Sequence, residues 1–237
     1  MPLLSKGIRM RLAKPALDIG LATADIQPML AFWTAEVGLC VDHVLPINRT
    51  VRQHRFDADG SVVKINENSA APAVGAPSGY RELLLARPGL AAERRLRAPD
   101  GSLVRLVSRG TDGVEQLAVR LAVRNLQAHR SFYREALGLE ETDWPGGTAF
   151  RAGRSLLLLE ESEDAPSDAQ MTGPGWRYIT FQVFKVDEDH ARVLAAGGRE
   201  ARAPVTLGTT ARISMVRDPD GNWIELSQRA SIVGALD

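Results

Sequence analysis

Two segments near the carboxyl end of the chain carry residue types that could perform acid–base or binding chemistry. These residues are Trp176, Tyr178, Thr180 and Gln182 in the first segment and Trp223 and Glu225 in the second. Apolar residues stand between Tyr178 and Gln182 and on either side of Glu225. Because residues i and i+2 of a β-strand share a face, we expect the polar side chains to line one surface. A carboxylate beside a phenol can transfer protons, and tryptophans can wall a pocket for a flat or apolar ligand.

Other charged residues give weaker signals. His54 lies in the basic run Arg52-Gln53-His54-Arg55, where it is either a solvated histidine or a site base or off-pattern metal ligand. Arg105 and Lys64 are explained equally well as solvated strand residues. The histidines at positions 129 and 190 fall on predicted helices, where we expect exposed positions.

The overall composition fits a globular protein of one large or two modest domains. Of the 237 residues, 44% are hydrophobic, and 29 basic side chains balance 29 acidic ones. A net charge of zero gives no broad electrostatic reason to bind nucleic acid or a membrane. The chain has no apolar run of the ~18 residues that span a membrane, no secretory signal, and a single cysteine, Cys40. These features predict a cytoplasmic protein with a small-molecule partner, and they allow a homodimer.

An internal repeat organises the chain. Residues 17–39 and 117–139 align without a gap, and residues 97–106 (RAPDGSLVRL) match residues 217–226 (RDPDGNWIEL). The repeat predicts two domains, at residues 1–110 and 111–237, which are joined by a polar, glycine-containing linker.

Both copies follow the same order of predicted elements. After the first strand, Asp25 or Asn125 can cap a helix, and Gly38 or Gly138 can stop it. The strands that follow are predicted at residues 62–65, 80–86, 155–159 and 177–183. The second copy adds a helix at residues 187–196, for which the first copy lacks room. A Pro-Asp-Gly turn leads into the last strand of each copy.

Together, these motifs resemble the vicinal oxygen chelate superfamily, which includes glyoxalases, bleomycin resistance proteins and extradiol dioxygenases. The resemblance is carried by the first strand, by the helix ending FYREALGL and by RDPDGNWIEL, and it covers nearly the whole chain. It implies an α+β fold in which repeated βαβββ modules form two vicinal-oxygen-chelate domains with cup-shaped mixed sheets. Four modules are similar to the arrangement in extradiol dioxygenases, although the second module here is truncated.

The resemblance also implies where a metal would bind. Family enzymes hold a divalent metal in the cup through histidine and glutamate side chains on the first strands and a final strand. In the second copy these positions are Ala118, Tyr178 and Glu225. In the first copy they are Asp18, a residue near Lys64, Tyr80 or Arg81, and Arg105. We therefore expect the metal site to be largely lost and no cofactor to be needed. A bound metal would be divalent iron, manganese, nickel or zinc.

Ion pairs are predicted in place of the metal. Arg120 is expected to neutralise Glu225 in the second cup, and Asp18 is expected to pair with Arg105 in the first. Such pairs would remove the penalty of a single buried charge.

Three functions are consistent with the resemblance. The first is a glyoxalase-like enzyme that isomerises or cleaves a small oxygenated organic molecule, with Glu225 as base or anchor, Tyr178 as acid or hydrogen-bond donor and Arg120 as oxyanion partner. Its predicted ligand-binding residues are Trp176, Thr180, Gln182, Trp223, Asp18, Arg105 and His54. The second is a metal-dependent extradiol dioxygenase, which the chain length favours and the missing histidines oppose. The third is a non-catalytic small-molecule binding or resistance protein, which the low histidine content and the tryptophans favour.

Overall fold

The computed structural model of the protein describes residues 10–71 and 75–236. Its strands are β1 Leu12–Thr23, β2 Cys40–Pro46, β3 Val51–Ala58, β4 Ser61–Asn68, β5 Tyr80–Arg87, β6 Arg94–Arg97, β7 Leu103–Ser108, β8 Leu117–Val123, β9 Glu140–Trp144, β10 Gly147–Ala152, β11 Ser155–Glu161, β12 Tyr178–Val183, β13 Arg199–Leu207, β14 Ala211–Arg217 and β15 Trp223–Arg229. Its α-helices are α1 Ile26–Ala31, α2 Leu126–Ser131, α3 Val186–Ala195 and α4 Ala230–Val233. Wider π-helical turns extend α1 over Phe32–Glu36 and α2 over Phe132–Ala136.

The strands form two mixed sheets, which confirms the predicted α+β fold class. One sheet has eight strands in the order β13-β14-β15-β12-β1-β4-β3-β2, and the other has seven in the order β6-β7-β5-β8-β11-β10-β9. The first, third and fourth modules have the order strand, helix and three strands. The second module, at residues 80–108, all of which are described, has three strands and no helix.

Each sheet combines modules from both halves of the chain. In the eight-stranded sheet the first module joins the fourth through antiparallel β1 and β12, with Asp18 opposite Thr180. In the seven-stranded sheet the second module joins the third through β5 and β8, with Glu82 opposite Arg120. The predicted boundary near residue 110 falls at a short 3-10 turn, Thr111–Gly113, but a cup is not built from one half alone.

Capping residues and glycines account for the ends of helices α1 and α2. The Asn125 side chain accepts a hydrogen bond of 2.9 Å from the Ala128 amide and caps α2. Asp25 occupies the same position before α1 but makes no such side-chain bond. Gly38 and Gly138 follow the two helical segments with φ of 74° and 65°, the left-handed conformation that glycine adopts without steric cost.

One continuous apolar core lies on the helix-covered faces of the two sheets. Trp33 at its centre is fully buried, and its ring centroid lies 6.2 Å from Phe56 and 5.7 Å from Trp176. Alternation along each strand sends the intervening side chains to the opposite, concave face. Among the described residues, no helix has the length and apolar character that crossing a membrane requires.

Candidate functional site

The concave face of the eight-stranded sheet contains a cavity of about 240 Å³. Strands of the first and fourth modules form it together. Its floor is polar and includes Lys64, Tyr178 and Glu225. Above the floor lies an apolar wall, which consists of Leu45, Ile47, Val51, Leu207, Ile213 and Met215. Lys64, Tyr178 and Glu225 are buried, whereas Leu45, Ile47, Val51 and Leu207 are half-buried. The cavity therefore offers charged groups at its base and aliphatic contacts nearer to solvent.

A buried ammonium group occupies the centre of this floor. Lys64 Nζ on β4 donates hydrogen bonds to Thr180 Oγ1 at 2.7 Å and to Glu225 Oε2 at 3.1 Å. It also lies 4.0 Å from Asp18 Oδ2. The Lys64 side chain is only 3% exposed, so these oxygens replace the water that would otherwise solvate its charge.

The surrounding charges control the protonation of this cluster. Burial lowers the pKa of Lys64 and the neighbouring Arg55 adds to that effect, whereas Glu225 and Asp18 oppose it. Burial by itself would raise the pKa of Asp18, but Lys14 and Lys64 outweigh it and hold that pKa below its ordinary value. Lys14 and Gln182 also donate hydrogen bonds to the Asp18 carboxylate. Asp18 is therefore an anion that helps to retain the Lys64 ammonium.

The Tyr178 hydroxyl is held as a hydrogen-bond donor towards the cavity. It accepts hydrogen bonds from Asn66 Nδ2 at 3.0 Å and from Gln53 Nε2 at 3.4 Å. The orientation of Asn66 is fixed because its Nδ2 also donates to the Leu21 carbonyl, which can only accept. Burial and the charge of Glu225 raise the pKa of Tyr178 well above its ordinary value. The phenol therefore keeps its proton, and both of its partners leave that proton free to be donated.

The same network orients a buried guanidinium. Asn66 Oδ1 accepts from Gln53 Nε2 at 3.0 Å, which leaves Gln53 Oε1 to accept from Arg55 Nη1 at 2.6 Å. Arg55 is 4% exposed and lines the cavity. The chain of bonds from the Leu21 carbonyl thus fixes the cationic side of the cup.

Gly20 makes room for Tyr178 on the concave face. A Cβ atom at Gly20 would lie 2.2 Å from Tyr178 Cζ, well inside van der Waals contact. The strand pairing puts the two residues opposite each other on β1 and β12. A side chain at position 20 would therefore push the phenol ring out of place.

The concave face of the seven-stranded sheet has a different character, because apolar side chains fill it. The members of this second cluster are Leu84, Val107, Val114, Ala118, Ala149, Leu156 and Leu158. Beside it, Glu82 is buried and lies 3.2 Å from Arg105 and 3.0 Å from Arg120. Ala118, which stands at a predicted metal-ligand position, is a core residue.

Both ion pairs predicted from the sequence are wrong. Arg120 lies in the seven-stranded sheet, where it contacts Glu82 and Glu160 rather than Glu225. Arg105 lies in the same sheet and contacts Glu82 and Glu93 rather than Asp18. The prediction assumed that each half of the chain forms its own cup, whereas each sheet is shared between the halves.

The other predicted ligand residues are divided between the cup and the core. Tyr178, Gln182 and Glu225 line the cavity, with Thr180 and Asp18 directly against Lys64. Three more lie outside it. Trp176 is 1% exposed in the main core, and Trp223 donates to the Ala169 carbonyl and lies under the Arg217 guanidinium. His54 is bound to Glu67 at 2.9 Å.

The sequence prediction missed several cavity residues or treated them as solvated, among them Lys64, Arg55, Gln53, Asn66 and Arg229. The sequence signal for the first four of these residues was the alternation of polar and other side chains along β3 and β4. Gln53 and Arg55 alternate with His54 and Phe56, in the same manner as the polar residues of β12. Alternation predicts which face of a strand a side chain occupies. It does not predict which other strand lies opposite that face across the cup.

A divalent metal does not fit the donor set of this cup. The strands to which the resemblance assigns metal ligands present Asp18, Lys64, Thr180 and Glu225 at the centre of the cup. The Lys64 ammonium lies within hydrogen-bonding distance of the oxygens that a metal would need, and a protonated amine cannot be a ligand. In the described part of the chain, no group of three or more histidine, cysteine, aspartate or glutamate residues could hold an ion.

Comparisons with known proteins agree with the fold. Residues 114–226 match the Glyoxalase/Bleomycin resistance protein/Dioxygenase superfamily. Curated protein sequences give no match. Glyoxalase I from Zea mays is 17% identical with a TM-score of 0.71, covering 90% of this chain and 92% of that chain. A candidate dioxygenase from Bacillus subtilis subsp. subtilis str. 168 is 11% identical with a TM-score of 0.65, covering 93% and 86% respectively. At such identities the structural likeness shows the fold alone.

Proposed function

Because residues 114–226 match the Glyoxalase/Bleomycin resistance protein/Dioxygenase superfamily, we propose that the polar cup binds a small oxygenated organic molecule and moves a proton on it. The proposed reaction is a glyoxalase-like isomerisation or lyase step that uses protein groups alone. The cavity of about 240 Å³ has the volume of roughly eight molecules of liquid water, which suits a ligand on the order of ten non-hydrogen atoms.

The observation that carries this proposal is the Lys64 ammonium at the centre of the floor. It lies among Thr180, Glu225 and Asp18, on the strands to which the resemblance assigns metal ligands. A fixed positive charge in a buried site can stabilise negative charge that develops on a substrate oxygen. We assign this electrostatic task to Lys64 in place of Arg120.

Glu225 is the proposed base. Its Oε2 accepts from Lys64 and Thr180, while Oε1 makes no hydrogen bond to any described residue. Oε1 could therefore take a proton from a carbon next to a carbonyl group, and the electron pair would move to the carbonyl oxygen. Lys64 and the Tyr178 hydroxyl would stabilise that oxygen. In an α-hydroxy carbonyl substrate, return of the proton to the former carbonyl carbon, with transfer of the substrate's hydroxyl proton to the former carbonyl oxygen, would complete an isomerisation.

The test is exchange of substrate hydrogen for deuterium in D₂O, followed by NMR over a panel of α-hydroxy ketones and 2-oxo acids. We expect the wild-type protein to accelerate exchange for at least one compound, before and after dialysis against a chelator. Glu225→Gln should lower the rate by about 100-fold or more, since general base catalysis contributes 10²–10⁴-fold.

The matched control for this experiment is Glu160→Gln, because Glu160 is paired with Arg120 on the other sheet. It should leave exchange unchanged. Exchange that disappears with the chelator and returns with a divalent metal would contradict the proposal.

Binding without turnover is the second candidate function. The apolar wall favours it, because aliphatic contacts retain a ligand without acting on it. A compound that raises the thermal unfolding temperature but shows no exchange with wild-type protein would support this function instead.

A further inference from the structure

In the part of the chain that the structure describes, one buried guanidinium of the cup has no ion-pair partner. Arg55 is 4% exposed, and among the described residues its one hydrogen bond goes to the neutral Gln53 Oε1. Its Nε atom has no hydrogen-bond partner in the described part of the chain. An arginine carries five N–H donors, so most of its hydrogen-bonding capacity is unused.

Such an arrangement is unfavourable unless something else neutralises the charge. Buried charges are normally paired, and the nearby ammonium of Lys64 repels a second cation rather than stabilising it. Arg55 and Lys64 are direct neighbours across the β3–β4 pair, and Arg55 lowers the pKa of Lys64. We therefore expect an anion to bind beside the Arg55 guanidinium.

The remaining charges of the cavity point the same way. Of the residues that line it, Arg55, Lys64, Arg202 and Arg229 are cationic and Glu225 alone is anionic. Glu225 is already bonded to Lys64 and Thr180. The excess positive charge is thus greatest at Arg55. Burial and Arg55 lower the pKa of Arg229, although Asp18, Glu225 and Asp42 oppose that effect.

The apolar wall indicates the chemical character of the rest of the ligand. Val51 shares the face of Arg55 on β3, and Leu45, Ile47 and Leu207 continue that surface towards solvent. A ligand whose charged end meets Arg55 would therefore lay its other end along aliphatic side chains.

We propose that the cup recognises a monocarboxylate with an apolar body, held by a forked contact between its carboxylate and the Arg55 guanidinium. This inference names the ligand class of the proposed function and rests on it. The planar guanidinium matches the two oxygens of a carboxylate, which favours this anion over a single point charge. The apolar body then packs on the wall formed by β2, β3 and the β13–β14 hairpin.

The experiment is calorimetric titration of the full chain with butanoate, hexanoate, octanoate and phenylacetate. The corresponding primary amides and amines serve as neutral and cationic probes of the same shape. Two variants are compared, Arg55→Gln and Arg52→Gln. Both change one arginine of β3, but Arg52 is exposed and paired with Glu67 outside the cavity.

We expect at least one carboxylate to bind and its amide and amine to bind far more weakly. Arg55→Gln should raise Kd on the order of 100-fold, as loss of a buried charged contact does, while Arg52→Gln leaves Kd unchanged. Circular dichroism spectra that match the wild type would show that both variants are folded.

The outcomes separate this inference from the proposed function. If the amides bind as tightly as the carboxylates, or if Arg52→Gln weakens binding as much as Arg55→Gln, the anion site is wrong and the cup remains a ligand site. If carboxylates, amides and amines all fail to bind, the anion site is overturned, while the proposed proton transfer is still decided by the deuterium-exchange experiment.

Discussion

At the scale of single residues, Lys64 has the largest influence on what the cup can do. A lysine can remain charged at this depth because two carboxylates and a hydroxyl surround its ammonium. The sequence did not identify it, because a lysine on an alternating strand is usually solvated. Its partners come from β1, β12 and β15, and Thr180 and Glu225 are more than a hundred residues away along the chain. A local sequence pattern does not show contacts between residues that are so far apart along the chain.

A double-mutant cycle tests the coupling between Lys64 and Glu225. Lys64→Met leaves two buried carboxylates near each other and should lower the free energy of unfolding by about 3–5 kcal/mol. Combined with Glu225→Met, the loss should be smaller than the sum of the single losses by about 0.5–3 kcal/mol. The measurement is urea unfolding of the four proteins at neutral pH.

The control cycle uses Arg120 and Glu160, a pair whose side chains are 30% and 47% exposed. For such exposed pairs we expect a coupling of about 1 kcal/mol or less. Additive losses at Lys64 and Glu225 would contradict the structure of the floor.

At the scale of elements, the strands and helices that the sequence analysis located are present, but it gave no bounds for β2, β3, β6, β9, β10, β13 and β14. Predicted strand 177–183 corresponds to β12 Tyr178–Val183, and predicted helix 187–196 corresponds to α3 Val186–Ala195. Alternation on β12 placed polar side chains on the concave face, because one face of that strand meets the main core. The helical histidines were misjudged. His129 and His190 are 0% and 4% exposed, since each finds an acidic partner that the periodicity does not show.

The acidic partner of His129 comes from the turn before β15. His129 Nε2 lies 3.4 Å from Asp218 Oδ2 and 3.6 Å from Asp220 Oδ2, and Nδ1 contacts the Asn125 carbonyl at 2.8 Å. Asp218 also accepts from the Tyr133 hydroxyl at 3.1 Å. Helix α2 and the Pro-Asp-Gly turn are therefore joined by a buried ionic contact.

This contact predicts a pH dependence of stability. Burial acts to lower the pKa of His129, but Asp218 outweighs it and the pKa is raised. A raised folded-state pKa means that the stabilisation is fully present below the unfolded pKa of about 6.5 and is lost as the pH rises through the folded value. The free energy of unfolding of the wild type should fall over that interval, and His129→Gln should remove this part of the slope. Urea unfolding at closely spaced pH values measures it.

His43→Gln is the matched control for this pH dependence, because His43 is exposed on the edge strand β2. It should keep the wild-type slope. If His129→Gln shows the same decline as the wild type, the buried ionic contact does not contribute to stability.

At the scale of the whole molecule, the repeat revealed four modules but not how they pair. The two copies have matching first strands, so the sequence does not distinguish pairing of β1 with β5 from pairing with β12. The structure pairs β1 with β12, and this brings the Lys64 and Arg55 side of the cup to Glu225 and Tyr178. The concave face that remains is packed with Leu84, Ala118 and Leu158. The pairing of β1 with β12 therefore explains why one cup is polar and the other is filled with apolar side chains.

This arrangement predicts that neither half of the chain can bind a ligand by itself. Residues 1–110 contain Arg55 and Lys64, and residues 111–237 contain Tyr178 and Glu225, so each half carries one side of the cup. We expect the separately produced halves to show no heat of binding with a carboxylate that the full chain binds. Mixing the halves should restore binding, because β1 with β12 and β5 with β8 can pair between chains as they do within one. A mixture in which the first half carries Arg55→Gln should associate without recovering binding. Full affinity in residues 111–237 alone would show that the cup belongs to one half, contrary to the sheet order of the structure.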